Sequence, residues 1–366
     1  DSRHNPSVRV DYESLIDLGF NEKGLFMNNV LDLQQRFRRN IYKYVNGDFL
    51  SWKDTLLSTI SPSVPFYRHA KRIFHQYMKS YSFSSRGLSP DIVTIDAYQG
   101  KNPHVLRMMD FICDLKEDLV GAYLHGSLGT YEETPFSDFD ALVILRNEIF
   151  KDPERLSRTA YKIYCAQSIM FDFDPIQHHG WVVLSEADLE SYPQDRFPKE
   201  LFHYAKSLFP NHGRSLSISC KNSAQNVRQS FDNLCQSASK RIEQRESIRN
   251  VYELKILLSQ FMLLPSLYVE MRDGKGIYKK FSFEAARVDF ETKDWSIMDD
   301  VSSIRANWSY HISPSFHRLI SKPTKHSRLL AKKFSPPVPK EIQRFLTDDF
   351  YQRMSRLITL MASKPR

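Results

Sequence analysis

Between residues 119 and 145, two apolar runs are joined by a turn that carries a glycine, a serine and a spaced pair of aspartates. The first run, 119–124, predicts a buried strand, which Gly126-Ser127 ends by opening a turn. The second run, 139–145, predicts another buried strand with Asp138 and Asp140 at its head. Residues two apart on a strand point to one face, so the two carboxylates converge while Phe139 turns to the core. Two acids at the mouth of an apolar strand are costly unless a cation or water meets them. The small residues Gly126 and Ser127 let the backbone come close to a phosphate. Phosphate donors beside paired carboxylates are the minimal equipment for metal-assisted phosphoryl or nucleotidyl transfer.

Gly126-Ser127, then Asp138-Phe139-Asp140 flanked by apolar residues, resembles the signature of the nucleotidyltransferase superfamily. That superfamily includes DNA polymerase beta, the poly(A) and CCA-adding polymerases and the aminoglycoside nucleotidyltransferases, and the match covers about 27 residues. The resemblance implies an α+β fold: a small mixed sheet carrying the acids, with helical segments on both sides. It implies two Mg²⁺ ions, or Mn²⁺ in their place, on Asp138 and Asp140 with a third acid. It further implies a nucleoside triphosphate such as ATP as donor, an acceptor hydroxyl and release of pyrophosphate. The acceptor is left open among a small molecule, a tRNA end and a protein side chain, and a partner protein is compatible with all three. The rival class is a non-catalytic nucleotide- or RNA-binding module, against which the intact Asp138-x-Asp140 pair argues.

The third acid is sought downstream, in the run Phe171-Asp172-Phe173-Asp174-Pro175. Alternation over 169–174 predicts a strand with Asp172 and Asp174 on one face, ended by Pro175, and a returning hairpin strand over 181–184. Asp174 is the first choice for the third ligand and Asp172 the alternative. His178 and His179 are read either as lining the site or as hairpin packing. Adjacent histidines on a strand face opposite ways, and no Cys or His stands at finger-like spacing, so zinc finds no support. Trp181 reads as core.

Further along, 251–271 is strongly apolar at helical spacing, and Pro265 within it predicts a kink or a break. Asp273-Gly274-Lys275-Gly276 predicts a turn, followed by a helix capped by Ser282. Lys279 and Lys280 precede that cap and read either as a triphosphate clamp or as a solvated surface pair.

Net charge divides unevenly: +2 over residues 1–118, −5 over 119–219 and +11 over 220–366, within +8 for the whole chain. An acidic segment suits cation binding, and a basic one suits a polyanionic nucleotide. The organisation predicted is a mostly helical N-terminal segment (1–118), a catalytic domain (119–219) and a basic helical C-terminal domain (220–366). Helices are predicted over 25–46, 66–82, 103–116, 151–168, 198–209, 224–245 and from Lys340 to the end, with 58–65 a loop and 82–90 a linker. Val227, Phe231, Leu234, Ala238 and Ile242 form one core stripe of the 224–245 helix. The four cysteines, Cys113, Cys165, Cys220 and Cys235, are scattered without a CxxC pair, which predicts reduced thiols and a cytoplasmic protein. The start of the chain has neither a signal-peptide pattern nor an initiator Met, which points to trimming. No apolar run approaches the roughly 18 residues that predict a membrane span, so no membrane partner is expected.

Overall fold

The computed structural model describes residues 90–151, 153–190, 192–193, 197–221 and 224–364. The helices predicted over 25–46 and 66–82, and the loop between them, lie outside the described residues. The fold is α+β. Its strands are β1 (Asp91–Thr94), β2 (Asp96–Ala97), β3 (Leu119–Leu124), β4 (Ala141–Leu145), β5 (Val182–Ser185), β6 (Tyr192–Pro193), β7 (Lys206–Ser207), β8 (Ser215–Ile218) and β9 (Cys220–Lys221). The α-helices are α1 (Pro103–Ile112), α2 (Gly126–Gly129), α3 (Pro153–Phe173), α4 (Glu186–Leu189), α5 (Leu201–Tyr204), α6 (Ala224–Glu243), α7 (Val251–Phe261) and α8 (Leu264–Asp273). They continue with α9 (Lys279–Arg287), α10 (Thr292–Ala306), α11 (Pro314–Ile320), α12 (Lys325–Phe334), α13 (Lys340–Gln343) and α14 (Asp348–Ser363).

The central sheet runs β2-β7-β3-β4-β5. It is mixed: β3 is antiparallel to β4 and β7, whereas β4 and β5, and β2 and β7, are parallel. Strand β4 is buried along its whole length because both faces are covered. Ala141, Val143 and Leu145 face a core shared with α1 and α3, and Leu142 and Ile144 face a second core completed by β1, β8 and α5. A third core is built by the helices from α6 onward, and Phe136 and Ile176 reach into it from the sheet side.

Four expectations change here. The strand predicted over 169–174 is the last part of α3, which runs on to Phe173. Thr159, Ile163, Ala166 and Met170 are all buried at helical spacing, so the 3.6-residue period overrides the short alternation. Strand β5 is therefore not a hairpin return; it pairs parallel to β4, and α3 is the crossover helix between them. The region 198–209 holds only the four-residue α5 before β7 adds an edge to the sheet. Residues 91–97, within the segment predicted to be mostly helical, form the short strands β1 and β2.

Pro265 stands in the first turn of α8, so the apolar run is two helices rather than one kinked helix. By length and composition, Val251–Asp273 qualifies as a membrane span, against the expectation of none, and its apolar window is mostly buried inside the protein. Gly274 closes α8 in the left-handed conformation, φ 66°, as a glycine cap does. The core stripe of α6 holds, with Phe231, Ala238 and Ile242 buried. The final helix begins at Asp348, after the single turn of α13. All four cysteines are free thiols.

Candidate active site

Strand β3 delivers its last residues to a turn that only glycine can make. Gly126 has φ +62°, and a Cβ there would stand 2.3 Å from Oδ2 of Asp140. The close approach follows from pairing: the His125 amide donates to the Asp140 carbonyl at 2.9 Å, continuing the backbone ladder past β3. Ser127 donates its hydroxyl to Ser137 Oγ at 2.7 Å, and Ser137 Oγ in turn accepts the Thr134 amide at 2.8 Å. The loop ahead of the aspartates is thereby tied to the glycine turn.

The aspartates lie just before β4, where its parallel neighbour β5 does not reach. Gln177 takes the place of a neighbouring strand. Its side-chain oxygen accepts the Phe139 amide at 2.7 Å, and its NH₂ donates to the Phe139 carbonyl at 3.1 Å. The same NH₂ donates to the His179 carbonyl at 2.8 Å. Phe139 is fully buried against Phe173. Asp138 and Asp140 flank it and line a cavity of about 610 Å³ together with Gly126, Ser127, His178 and His179.

The two histidines lie outside any strand, in the connection between α3 and β5, and both face the cavity. This corrects the expectation that they point opposite ways, which rests on a strand they do not form. Their rings are 5.0 Å apart and nearly perpendicular. His179 Nε2 stands 3.5 Å from Asp138 Oδ2 and 3.3 Å from Asp140 Oδ1. Burial alone lowers the pKa of this imidazole, but the two carboxylates outweigh burial and raise it to about 9.

Behind the acids sits a charged residue absent from the sequence reading. Lys255, in the middle of α7, is 1% exposed, and its Nζ lies 2.8 Å from Asp138 Oδ1 and 2.7 Å from Asp174 Oδ2. Asp174 is also buried; its Oδ1 accepts the Tyr310 hydroxyl at 3.1 Å and the Ile176 amide at 3.3 Å. Burial raises the Asp174 pKa to about 6, which Lys255 opposes and Asp138 reinforces. For Asp138, burial pushes upward, but Lys255 and then His179 outweigh it and hold the carboxyl well below its usual range. Asp172 faces elsewhere. It accepts Arg107 at 2.7 Å and stands near His104 and His317 on the outer surface of α3.

The rest of the lining comes from the helical region. Helix α9 begins at Lys279, three residues before the predicted cap; Ser282 lies inside it and donates to the Lys279 carbonyl at 2.7 Å. Lys279 and Lys280 thus occupy its first turn, and both line the cavity. Tyr278 anchors that turn by donating to the Gly126 carbonyl at 3.3 Å and by stacking on Tyr204 at 4.5 Å. Burial and then nearby Arg305 lower the Lys279 pKa to about 8, against the pull of Asp140 and Asp138. Lys280 is exposed and pairs with Glu132 at 2.5 Å. Arg305, on α10, also lines the cavity and lies over the Phe136 ring at 4.8 Å.

Lys255, Gln177, Tyr310 and Arg305 all escape a reading by motif. Lys255 alone leaves a local trace, as the one basic residue in the apolar stretch 251–261. For cations, Asp138, His178 and His179 each offer a ligand atom, and these atoms lie within 4.8 Å of one another. These three residues could hold one cation. Asp174 is not part of this set, and its two oxygens face Lys255, Tyr310 and the Ile176 amide.

No family model and no curated protein matches the sequence. Among solved structures, the chain is similar to spectinomycin adenyltransferase AAD(9) from Enterococcus faecialis, with ATP and spectinomycin, at 14% identity and a TM-score of 0.33. The match covers 62% of this chain and 99% of that one, and at this distance the likeness carries no argument about function.

Proposed function

We propose that the protein is a nucleotidyltransferase that moves a nucleoside monophosphate from a nucleoside triphosphate to an acceptor hydroxyl, releasing pyrophosphate. One observation carries the reading: the Asp138–Asp140 pair and the Gly126 turn share a cavity that Lys279, Lys280 and Arg305 also line. Such an arrangement gathers carboxylates and cations around one cavity, as a metal-bound polyphosphate with a reacting α-phosphorus requires.

In this reading the Gly126 backbone and the Ser127 hydroxyl hold the phosphate nearest the acids. Lys279 and Arg305 take the outer phosphates, with Lys280 at the rim. A divalent cation at the carboxylates, when bound, neutralises phosphate charge and acidifies an acceptor hydroxyl. Gln177 fixes Phe139, and so keeps Asp138 and Asp140 aimed into the cavity. Lys255 orients Asp138, and Asp174 serves the site as the second partner of Lys255. The acceptor oxygen bonds to the α-phosphorus, its proton passes to Asp140, and the bond to the bridging oxygen breaks. A cavity of about 610 Å³ is of small-molecule size, so the acceptor class favoured is a hydroxyl-bearing small molecule.

The test is to incubate the protein with each α-labelled NTP, Mg²⁺ and a cell extract, and then locate the label by size fractionation. Label in a low-molecular-weight product supports both donor and acceptor. Label in RNA or protein keeps the transfer and replaces the acceptor. No label transferred from any NTP refutes the proposal.

A further inference from the structure

The donors around Asp138 are unlike an all-oxygen magnesium site. Mg²⁺ prefers oxygen ligands and retained waters, whereas imidazole nitrogen suits borderline first-row ions. Here two imidazoles and a carboxylate bring ligand atoms within 4.8 Å of one another. The spacings are informative. Ligands about 2.1 Å from a common tetrahedral ion stand roughly 3.4 Å apart, while a good N–H···O bond is about 2.7–3.2 Å. His179 Nε2 lies 3.5 Å from Asp138 Oδ2, which matches co-ligands of one ion better than hydrogen-bond partners, with Asp140 Oδ1 nearby at 3.3 Å.

The backbone supports the same geometry. Gln177 bonds the carbonyls of both Phe139 and His179, so the strand-head acids and the histidine segment form one rigid piece. Arg328 donates to the carbonyls of Pro175 and Gln177 at 3.1 and 3.3 Å and packs on the Phe171 ring, which braces that segment from behind. The position between Asp138 and Asp174, where a second cation would neutralise both, is held by the Lys255 ammonium.

We infer that this centre takes one borderline divalent ion, of the Zn²⁺ or Co²⁺ class, on Asp138, His178 and His179 in preference to Mg²⁺, with Lys255 standing in for a second metal. The inference deepens the nucleotidyltransferase reading by naming its resident ion, but its test needs no turnover. Mg²⁺ arriving with the nucleotide is a separate ion.

The experiment titrates the full-length, chelator-stripped protein with Co²⁺ in the absence of nucleotide and follows visible absorption. A nitrogen-ligated band should saturate at one equivalent, persist in a hundredfold excess of Mg²⁺ and vanish with one equivalent of Zn²⁺. His178→Gln and His179→Gln should each weaken Co²⁺ binding at least tenfold, whereas His317→Gln, on the outer surface, should leave it unchanged. Because His179 separates two carboxylates, His179→Lys is the second variant: it keeps a positive charge and should fold, yet lose the band. Absence of a band, displacement by equimolar Mg²⁺, saturation at two equivalents, or a band that survives both histidine variants would overturn the inference. Label transfer with Mg²⁺ alone and no Co²⁺ band sinks this inference while leaving the function. A histidine-dependent band with no transfer from any NTP supports the inference and sinks the function.

Discussion

The sheet and the helical region meet at one cavity, yet they build their halves of it differently. On the sheet side, short side chains are placed by backbone: the Gly126 turn, the Phe139 peptide held by Gln177, and the ladder bond from His125 to Asp140. On the helical side, long basic side chains reach the cavity from two separate helices, Lys279 and Lys280 from α9 and Arg305 from α10, while Lys255 of α7 lies buried behind the acids. Charge follows the same division, with −5 over residues 119–219 and +11 over 220–366. The contrast separates precision from reach. In the proposed function, carboxylates fixed by backbone would define where chemistry occurs, while extended cations would collect the charge of a polyanionic substrate.

The comparison breaks first at the acids. Asp140→Asn should reduce transfer by a thousandfold or more, about 4 kcal/mol of barrier, with thermal unfolding nearly unchanged. Activity near that of the parent protein would show that the sheet side does not define the chemistry. The next effect is on folding. Lys255→Met should cost roughly 3–5 kcal/mol in stability, because it leaves Asp138 and Asp174 buried without their shared cation. Denaturant unfolding measures it, and an unchanged midpoint would remove Lys255 as the strut between the two halves.

A smaller effect concerns pH. In metal-free protein the His179 pKa is raised to about 9, above its unfolded value near 6.5. Its contribution is therefore fully present below pH 6.5 and is lost as pH rises toward 9, amounting to roughly 3 kcal/mol at most. His179→Gln should flatten the pH dependence of the melting temperature across that window. An equally steep profile in the variant would assign the effect to another group. Smallest are the phosphate contacts. Lys279→Ala should raise KM for the nucleotide roughly tenfold with kcat nearly constant, since the ammonium meets substrate and transition state alike. With its pKa lowered to about 8, Lys279 loses charge as pH passes that value, so KM should climb there in the parent protein and not in the variant. Lys280→Ala should change KM less, because its ammonium is exposed and already paired with Glu132.

The same division explains what could be read in advance. Strand β3, the Gly126 turn and the Asp138–Asp140 pair are legible because strand period and turn chemistry are local properties. The segment after residue 168 misleads because six residues that alternate also continue a helix, and burial on one helical face decides the matter. Asp172 and Asp174 therefore part company: one ends on the outer face of α3 with Arg107, the other lies past the helix end, under Lys255. Lys255 and Arg305 come from turns some 50 residues apart, and no spacing rule relates them to the acids they face. Gln177 is invisible for another reason. Its role is to supply backbone-like hydrogen bonds to a residue 38 positions away.

The central claim is that the sheet acids act on the α-phosphorus while the helical cations hold what leaves. Parallel incubations with the same NTP, labelled at the α or the γ phosphate, test it most directly once an acceptor fraction is found. The account predicts α label in the product, γ label released as pyrophosphate, and neither event with Asp140→Asn. Transfer of γ label to the acceptor, with α label left on a nucleoside diphosphate, would contradict it.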